Sequence, residues 1–273
     1  MEIVIVPSPE DGGRIAADIV CGAIENGART LGLATGSSPL HTYRELIKRH
    51  RESGVSFAAM SAYLLDEYVG LTSDQPQSYA HTIRTELVDH LDIDNARVFS
   101  PDGGAADPSD AARRYDAAIA ENGPIDVQIL GIGLNGHIGF NEPSSSLASR
   151  TRVKTLTERT RADNARFFAD PADVPHHVIT QGLGTISDAR HLVLIADGAR
   201  KAPAVRAAVE GPVSAFCPAS VLQLHPHVTV IVDEAAAGEL QLADFYRYTT
   251  EHKLQSRVTE KRAAESGLDL QRS

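Results

Sequence analysis

Cysteine is nearly absent from this sequence, and its scarcity excludes two kinds of protein. Cys21 and Cys217 are the only cysteines among the 273 residues. Two distant cysteines cannot form the disulfide framework of a small secreted domain, and they are too isolated to build a zinc site. Residues 1–20 also lack the basic stretch and the small-residue cleavage site of a signal peptide. We therefore expect two free thiols in the reducing cytoplasm.

Long apolar runs are missing as well, and so is a positive net charge. No stretch approaches the roughly 20 apolar residues of a membrane-spanning helix, so no membrane is expected as a partner. The formal net charge of −10 argues against non-specific binding of nucleic acid, which needs a basic surface to neutralise phosphates. An anionic small molecule is compatible with this charge, since a few local cations can override the global field.

What the sequence does contain is an alternation of strand-like and helix-like segments. Repeated strand–helix order predicts a doubly wound α/β domain with a mostly parallel sheet. We expect one such domain over residues 1–250 and a polar C-terminal tail over residues 251–273. The predicted strands are Glu2–Val6, Thr30–Ala34, Ser61–Leu65, Ile125–Leu130, His191–Ile195 and Val228–Val232, and the predicted helices cover about 15–24, 39–51, 78–91, 108–121, 158–168 and 199–209.

Three loops at predicted strand ends carry polar chemistry, and the first is Thr35-Gly36-Ser37-Ser38-Pro39. In an open parallel sheet, ligands bind beyond the carboxyl ends of the strands. Glycine lets backbone amides approach a ligand, hydroxyls add donors, and the next helix offers its positive N-terminus, which together make a phosphate cradle. The alternative is a plain helix start, with Ser38 as N-cap and Pro39 in the first helical position.

The second loop, residues 66–70, begins with two adjacent carboxylates, Asp66 and Glu67. A carboxylate at a strand end can act as a general base. The same pair is equally compatible with a helix start or a solvated turn, and the sequence alone does not choose between these interpretations.

The third loop, Gly131–Pro143, opens with the G-x-G-x-x-G pattern of dinucleotide-binding proteins. That pattern is diagnostic only when its third glycine opens a helix, and here Gly139 and Pro143 prevent a regular helix. No second strand ends in an acidic residue about twenty positions on. Both observations argue against a nucleotide-dependent oxidoreductase.

The remaining chemistry of this loop centres on His137, which has Asn135 before it and Glu142 after it. Histidine is the side chain best suited to shuttle protons near neutral pH, and a carboxylate partner fixes its tautomer. A structural histidine is the competing interpretation. The position of His137 in a glycine-rich loop at the switch point of a sheet favours a functional role over a structural one.

Other histidines and a group of cations are weaker candidates. His176-His177 and His225-x-His227 lack a third ligand at metal spacing, so surface or capping roles are expected for them. Most of the cations should be solvated, while a few are suited to hold a phosphate. These cations are Arg150, Arg152, Lys154, Arg159, Arg161 and Arg166.

Together these segments resemble the glucosamine-6-phosphate deaminase family. The similarity runs from about residue 1 to 250, and the combined patterns N-G-H-I-G-F-N-E-P and D-E-Y-V-G-L are highly specific. The resemblance implies a three-layer α/β/α Rossmann-like fold without a nucleotide, and neither a cofactor nor a metal. It implies conversion of glucosamine 6-phosphate and water into fructose 6-phosphate and ammonia, in amino-sugar catabolism. The matching segments are 33–39, 65–71, 131–152 and 207–211.

The resemblance also implies roles for individual residues. His137 resembles the group that opens the sugar ring, assisted by Asn135 and Glu142, and Asp66 resembles the base that moves a proton from C2 to C1. Some family members have aspartate where this chain has Asn135, so Glu142 is here the only carboxylate close in sequence to His137. The substrate phosphate would be held by Thr35, Gly36, Ser37, Ser38, Arg166 and Lys201.

Regulated members of the family are oligomers, often hexamers, with a second phosphosugar site that binds N-acetylglucosamine 6-phosphate between subunits. Ser145, Arg152 and Lys154 match residues of that site, but Arg247 stands where the family has a tyrosine. A homo-oligomer with this activator is one expectation, and a polar stretch that packs an interface or faces water is the other.

Two other functions stay open at this point. One is a related phosphosugar isomerase or lactonase on the same fold, and the other is a non-catalytic sugar-phosphate sensor. The presence of Asp66, His137 and Glu142 argues against a sensor, which needs only the phosphate clamp.

Overall fold

The fold is taken from a computed structural model, which describes residues 1–253. Of the predicted polar tail over 251–273, residues 251–253 are helical and the rest lies outside the described residues. The strands are β1 (Glu2–Val6), β2 (Thr30–Leu33), β3 (Ser61–Leu64), β4 (Asp66–Tyr68), β5 (Val98–Phe99), β6 (Val127–Leu130), β7 (Arg152–Thr155), β8 (His177–Thr180), β9 (His191–Ala196) and β10 (Val228–Asp233).

Helices flank the strands. The α-helices are α1 (Pro9–Glu25), α2 (Ser37–Ser53), α3 (Tyr79–Glu86), α4 (Pro108–Glu121), α5 (Glu158–Asn164), α6 (Leu183–Ser187) and α7 (Ala202–Val209), and residues 243–253 are also helical. Turns of 3₁₀ helix lie at Val88–His90, Asn95–Arg97, Ala165–Phe167, Pro171–Asp173, Ala199–Lys201 and Pro218–Leu224. No helix within residues 1–253 is long and apolar enough to cross a membrane.

Seven strands form one parallel sheet in the order β1-β10-β9-β6-β2-β3-β5. The central strands β6, β9 and β10 are buried almost throughout, and Val193 and Val230 have no exposed surface. Such burial on both faces is what a parallel sheet covered by helices requires. The predicted doubly wound α/β fold in a single domain is confirmed.

The helix ends follow ordinary capping chemistry. The hydroxyl of Ser8 accepts the amide of Asp11 at 3.2 Å, and Pro9 follows as the first residue of α1. Asp107 caps α4 in the same way, and Pro108 follows it, so α4 has the bounds predicted from the sequence. Both helices therefore begin where a side-chain acceptor replaces the missing carbonyl of the previous turn.

The strand order places a topological switch point at β2. From β2 the chain proceeds to β3 and β5 at one edge, and then returns to β6 on the other side of β2. The loops that follow β2 and β6 therefore diverge, and they open a crevice at the carboxyl ends of the strands. These loops are the predicted phosphate cradle and the loop that contains His137.

A second, antiparallel sheet of the strands β4, β8 and β7 was not predicted. The prediction of a loop at residues 66–70 is wrong for Asp66–Tyr68, which form β4 and pair with β8. A strand of three residues is too short to show alternation, and its partner β8 lies far along the chain. The apolar face of this small sheet packs on α4.

Three predicted helices are shorter than expected. The helix over 78–91 ends at Glu86, because Leu87 has φ −140° and only a 3₁₀ turn follows. The helix over 158–168 ends at Asn164 and continues as a 3₁₀ turn. The helix over 199–209 begins at Ala202, again after a 3₁₀ turn. Helix ends commonly tighten in this way, and composition does not reveal it.

Candidate active site

The loop after β2 leads into α2 through Gly36. Gly36 has φ 116° and is the N-cap of α2, with no side chain capping the first amides. The helix begins at Ser37, so the interpretation of Ser38 as the N-cap is wrong. Pro39 lies within the first turn, where its missing N–H removes no helical hydrogen bond. The first amides of α2 are thus available to an anion.

The loop after β6 is irregular, as expected, and glycines give it its shape. Gly133 donates its amide to the carbonyl of His137 at 2.8 Å, which closes the loop on itself. A Cβ on Gly133 would lie 2.2 Å from the imidazole ring of His137, so the ring occupies the space that any side chain would need. Gly136 and Gly139 have φ of 80° and 54°, which favour glycine.

Within this loop, His137 faces Glu142. The Nδ1 atom of His137 lies 3.6 Å from Oε2 of Glu142, an ion-pair distance rather than a hydrogen bond. Asn135 donates its amide to the same Oε2 at 2.6 Å, and Thr160 donates its hydroxyl to Oε1 at 2.5 Å. The structure thus brings the three predicted residues together and adds a fourth.

These neighbours keep Glu142 ionised. Burial raises the pKa of Glu142, but His137, Thr160 and Asn135 outweigh it and lower the pKa to about 2. Asn135 therefore stabilises the ionised form of Glu142, because its amide donates a hydrogen bond to the carboxylate. An aspartate at this position would add a second negative charge instead.

Asp66 reaches this loop through β8. It pairs with Thr180, whose hydroxyl accepts the amide of Phe140 at 3.1 Å. A Cβ on Gly139 would lie 3.6 Å from Oδ2 of Asp66, so the carboxylate sits against the loop. Burial, and then the charge of Glu67, raise the pKa of Asp66 to about 8. A carboxyl with such a pKa is suited to take up and return a proton near neutral pH.

Glu67 has a different task, although it is adjacent in sequence. Its carboxylate accepts the backbone amides of Tyr68, Tyr79 and Ala80 at 2.9 to 3.0 Å, which anchors the first turn of α3. Burial raises the pKa of Glu67, and these three amides oppose the effect. Asp66 is therefore the carboxylate of the pair that is left for chemistry.

Two predicted clamp cations approach the crevice. Lys201 donates to the carbonyl of Ile132 at 2.6 Å, at the start of the His137 loop. Burial lowers the pKa of Lys201, and Arg200 and Arg166 lower it further against the opposing charge of Asp197. Arg166 lies in the turn after α5, with its guanidinium 4.7 Å from the ring centroid of Phe167.

The other cations of the cluster have varied surroundings. Arg150 pairs with Asp116 and Asp188, and Arg161 donates to the carbonyl of Val174. These contacts assign both arginines to structural roles.

Arg152 and Lys154 lie on β7 and point to one face of the strand. Arg152 donates to Oδ1 of Asn141 at 2.9 Å. Burial and then Arg152 lower the pKa of Lys154. Arg247, which was predicted to replace the family's tyrosine, pairs with Glu234 and Asp244.

Sequence reasoning missed Thr160, Thr180 and the packing role of Gly133. Thr160 was included only as part of a helix, and a β-branched residue between charged helix positions gives no functional signal. Thr180 also gives no functional signal in the sequence. Its role depends on the pairing of β8 with β4, which the sequence did not reveal.

Comparison with known proteins agrees with this geometry. Residues 12–231 match the sequence model of the family described as glucosamine-6-phosphate isomerases/6-phosphogluconolactonases. A glucosamine-6-phosphate deaminase from Rhodococcus opacus (strain B4) is 66% identical over 253 residues, covering 93% of this chain and 98% of the relative. A second, from Rhodococcus jostii (strain RHA1), is 64% identical with the same coverage.

Solved structures give the same result. The structure of a monomeric glucosamine-6-phosphate deaminase is 42% identical and superposes with a TM-score of 0.86, covering 88% of this chain and 100% of that one. A 6-phosphogluconolactonase from Leishmania guyanensis is 21% identical with a TM-score of 0.68, and covers 86% of this chain and 97% of that one, which shows a shared fold.

Proposed function

The chain belongs to the family of glucosamine-6-phosphate isomerases and 6-phosphogluconolactonases, and we propose that it converts glucosamine 6-phosphate and water into fructose 6-phosphate and ammonia. The observation that carries the proposal is a buried carboxyl, Asp66, held against a loop in which His137 faces Glu142. Aldose–ketose isomerisation needs both a carbon base and a ring-opening proton shuttle, and this crevice supplies one of each.

Ring opening is assigned to His137. A closed pyranose has no carbonyl, so the C1 hydroxyl must lose a proton while the ring oxygen gains one and the C1–O bond breaks. Nδ1 of His137 faces the anionic Glu142, which leaves Nε2 to exchange these protons with the sugar. Glu142 stabilises the imidazolium that forms between the two transfers.

Proton transfer between carbons is assigned to Asp66. In the open aldehyde, the ionised carboxylate takes the C2 proton, the C–H electron pair forms a C1–C2 double bond, and the carbonyl oxygen takes a proton from the substrate's own ammonium group. The carboxyl then returns its proton to C1 as the nitrogen lone pair forms a C2–N double bond, which leaves an iminium ion at C2. Water adds to C2 and ammonia departs, so atoms and electrons balance without a net oxidation.

Phosphate binding is assigned to the first amides and hydroxyls of α2, Arg166 and Lys201. The strands β2, β6 and β9 are adjacent, so the loops that follow them share one edge of the sheet. An uncapped helix N-terminus and two cations form a binding site for a dianion, even in a chain of net charge −10. The residues of the α2 turn are Thr35, Gly36, Ser37 and Ser38.

Ammonia release tests the proposal directly. Purified protein incubated with glucosamine 6-phosphate and no added cofactor should release ammonia and fructose 6-phosphate in equal amounts. A protein that instead hydrolyses 6-phosphogluconolactone, or that binds the sugar phosphate without turnover, would contradict the proposal. The control is the same assay with free glucosamine, which lacks the phosphate.

A second phosphosugar site for N-acetylglucosamine 6-phosphate is also part of the proposal. Its support is the hydroxyl of Ser145, which is buried with no hydrogen-bond partner in the described part of the chain, together with the two cations Arg152 and Lys154 on one face of β7. Substrate curves should be sigmoidal, and the acetylated sugar should make them hyperbolic. Curves that are hyperbolic from the start and unaffected by the acetylated sugar would refute this site.

We propose that the chain forms a homo-oligomer, because the second phosphosugar site would lie between subunits. We also propose that the enzyme is cytoplasmic. Exposed apolar side chains such as Phe216 and Phe245 offer contact area for subunits. Because one structural relative is a monomer, the oligomer requires its own measurement, for which light scattering is suited. A monomeric mass at assay concentration would refute it. Cys21 and Cys217 are free thiols, which supports a reducing compartment.

A further inference from the structure

The carboxylate of Glu142 is held from two directions. Its Oε2 atom accepts the amide of Asn135, which belongs to the same loop, and faces His137. Its Oε1 atom accepts the hydroxyl of Thr160, which lies 18 residues further along the chain in α5. Glu142 and Thr160 are only 5% and 8% exposed, so water does not readily replace this 2.5 Å contact.

The hydroxyl proton of Thr160 has a defined direction. Thr160 has one hydroxyl proton, and the ionised Glu142 can only accept it. The hydroxyl of Thr157, 2.9 Å away, must therefore donate to Thr160. Thr157 is also the N-cap of α5, since it accepts the amide of Thr160. The chain of hydroxyls fixes the position of Thr160 relative to the start of the helix.

The segment that carries Thr160 also carries Arg166, one of the proposed phosphate ligands. Arg166 lies six positions after Thr160, a rise of roughly 9 Å in a helix. Two contacts hold the segment on the body of the protein: Asn164 donates to the hydroxyl of Tyr68 at 2.8 Å, and Arg161 donates to the carbonyl of Val174. One segment thus contacts the carboxylate that faces the imidazole and carries a cation whose charge lowers the pKa of Lys201, the other cation proposed to bind the phosphate.

We infer that Thr160 is a positioning residue that couples binding of the substrate phosphate to the orientation of Glu142. The inference rests on the proposed function. When the phosphate binds Arg166, the segment gains a third anchor, and Thr160 transmits this restraint to the carboxylate that orients and stabilises the imidazolium of His137. A sugar without a phosphate leaves the segment with only its contacts to Tyr68 and Val174, and Glu142 less firmly oriented toward His137.

The coupling predicts a division between kinetic parameters. Loss of the Thr160 hydroxyl should lower kcat, because the carboxylate is misoriented in the bound complex, and should leave KM within about twofold. A hydrogen bond to a charged group is worth roughly tenfold or more in an equilibrium, so we expect kcat to fall about tenfold. Loss of packing alone would instead destabilise the protein and spare the kinetics of the folded fraction.

Two substitutions separate the hydroxyl from the packing. Thr160→Val keeps the shape and removes the donor, whereas Thr160→Ser keeps the donor and removes a methyl group. The inference predicts that Thr160→Val loses about tenfold in kcat and that Thr160→Ser stays within about threefold of the wild type. Thermal melting of both variants shows whether each is folded at the assay temperature. Equal losses of kcat in the two variants, or no loss in either, would show that the hydroxyl does not orient Glu142 and would overturn the inference.

A double-mutant cycle with Arg166→Ala tests the coupling. If Thr160 transmits the effect of phosphate binding, the kcat/KM penalty of Thr160→Val with Arg166→Ala should be at least threefold smaller than the product of the single penalties. A penalty equal to that product would overturn the coupling. Ammonia release by the wild type is the reference: its absence would refute the proposed function, whereas wild-type release with an unaffected Thr160→Val variant would refute only the role of Thr160.

Discussion

Asn135 donates its side-chain amide to Oε2 of Glu142 at 2.6 Å, and this is the carboxylate oxygen that faces His137. The asparagine therefore helps to keep the carboxylate ionised, at a position where some family members carry a second acid. An amide donor lowers the pKa of its partner without adding a charge that would need a proton or a cation of its own. The carboxylate next to the imidazole is thus permanently ionised in the working pH range.

Asn135→Leu should lower kcat about tenfold. Leucine has a similar volume but no donor, so Glu142 loses one of the neighbours that lower its pKa and fix its orientation. Steady-state kinetics with glucosamine 6-phosphate measure the effect, and thermal melting confirms that the variant is folded. An unchanged kcat would show that the amide is dispensable for the pair of His137 and Glu142.

Asp66 should make the free energy of unfolding fall as the pH rises. Its pKa is about 8 in the folded protein and near 3.8 in an unfolded chain, so the folded state holds an extra proton between these values. The stabilising effect is complete below pH 3.8 and is lost as the pH rises through 8. Asn at position 66 cannot titrate. The free energy of unfolding of Asp66→Asn, relative to that of the wild type, should therefore increase by about 1–4 kcal/mol as the pH rises from 5 to 8.

Denaturant unfolding of the wild type and of Asp66→Asn at pH 5 and at pH 8 measures this difference. The contributions of titratable groups that the two proteins share cancel in the comparison. A stability difference that does not change with pH would show that Asp66 has an ordinary pKa. It would then be ionised at neutral pH and able to accept the C2 proton, but its pKa would no longer favour holding that proton and returning it to C1 near neutral pH.

Arg166→Ala should mainly raise KM for glucosamine 6-phosphate, by roughly ten- to a hundredfold, because one charge-assisted contact to the phosphate is lost. Added salt should raise the wild-type KM more than that of the variant. Free glucosamine should be a poor substrate for both proteins, and equally so. Initial-rate measurements at low and high salt test this, and efficient turnover of free glucosamine by the wild type would refute the clamp.

Lys201→Ala is the informative comparison for that experiment. Lys201 also donates to the carbonyl of Ile132 at the start of the His137 loop, so its removal should lower kcat as well as raise KM. A pure KM effect of Lys201→Ala would show that this backbone contact does not support the loop.

Much of this arrangement could be predicted from the sequence, for identifiable reasons. The buried strands of the parallel sheet are mostly apolar, so β6, β9 and β10 were predicted to within a residue or two. Asn135, His137 and Glu142 all lie in one stretch of eight residues inside a glycine-rich loop. Their proximity could therefore be predicted without knowledge of the fold.

The remainder depends on pairings between distant residues. Asp66 is brought against the His137 loop by the pairing of β4 with β8, whose Thr180 contacts Phe140 of the loop, and the short strand β4 gives no periodic signal in the sequence. Thr160 meets Glu142 only because α5 folds back over the loop. Neither contact leaves a periodic signal, and the N-cap of α2 was misplaced because Ser38-Pro39 fits the capping pattern better than Gly36 does.

The most direct test of the central claim is the rate at which glucosamine 6-phosphate loses its hydrogen at C2 on the enzyme, followed by proton NMR. This rate counts transfer to C1 and exchange with solvent alike. Because Asp66→Asn is nearly isosteric and removes only the base, the variant should lose the C2 hydrogen roughly a hundred- to ten-thousandfold more slowly than the wild type. A variant that is folded, binds substrate and still removes that hydrogen at the wild-type rate would contradict the assignment of Asp66.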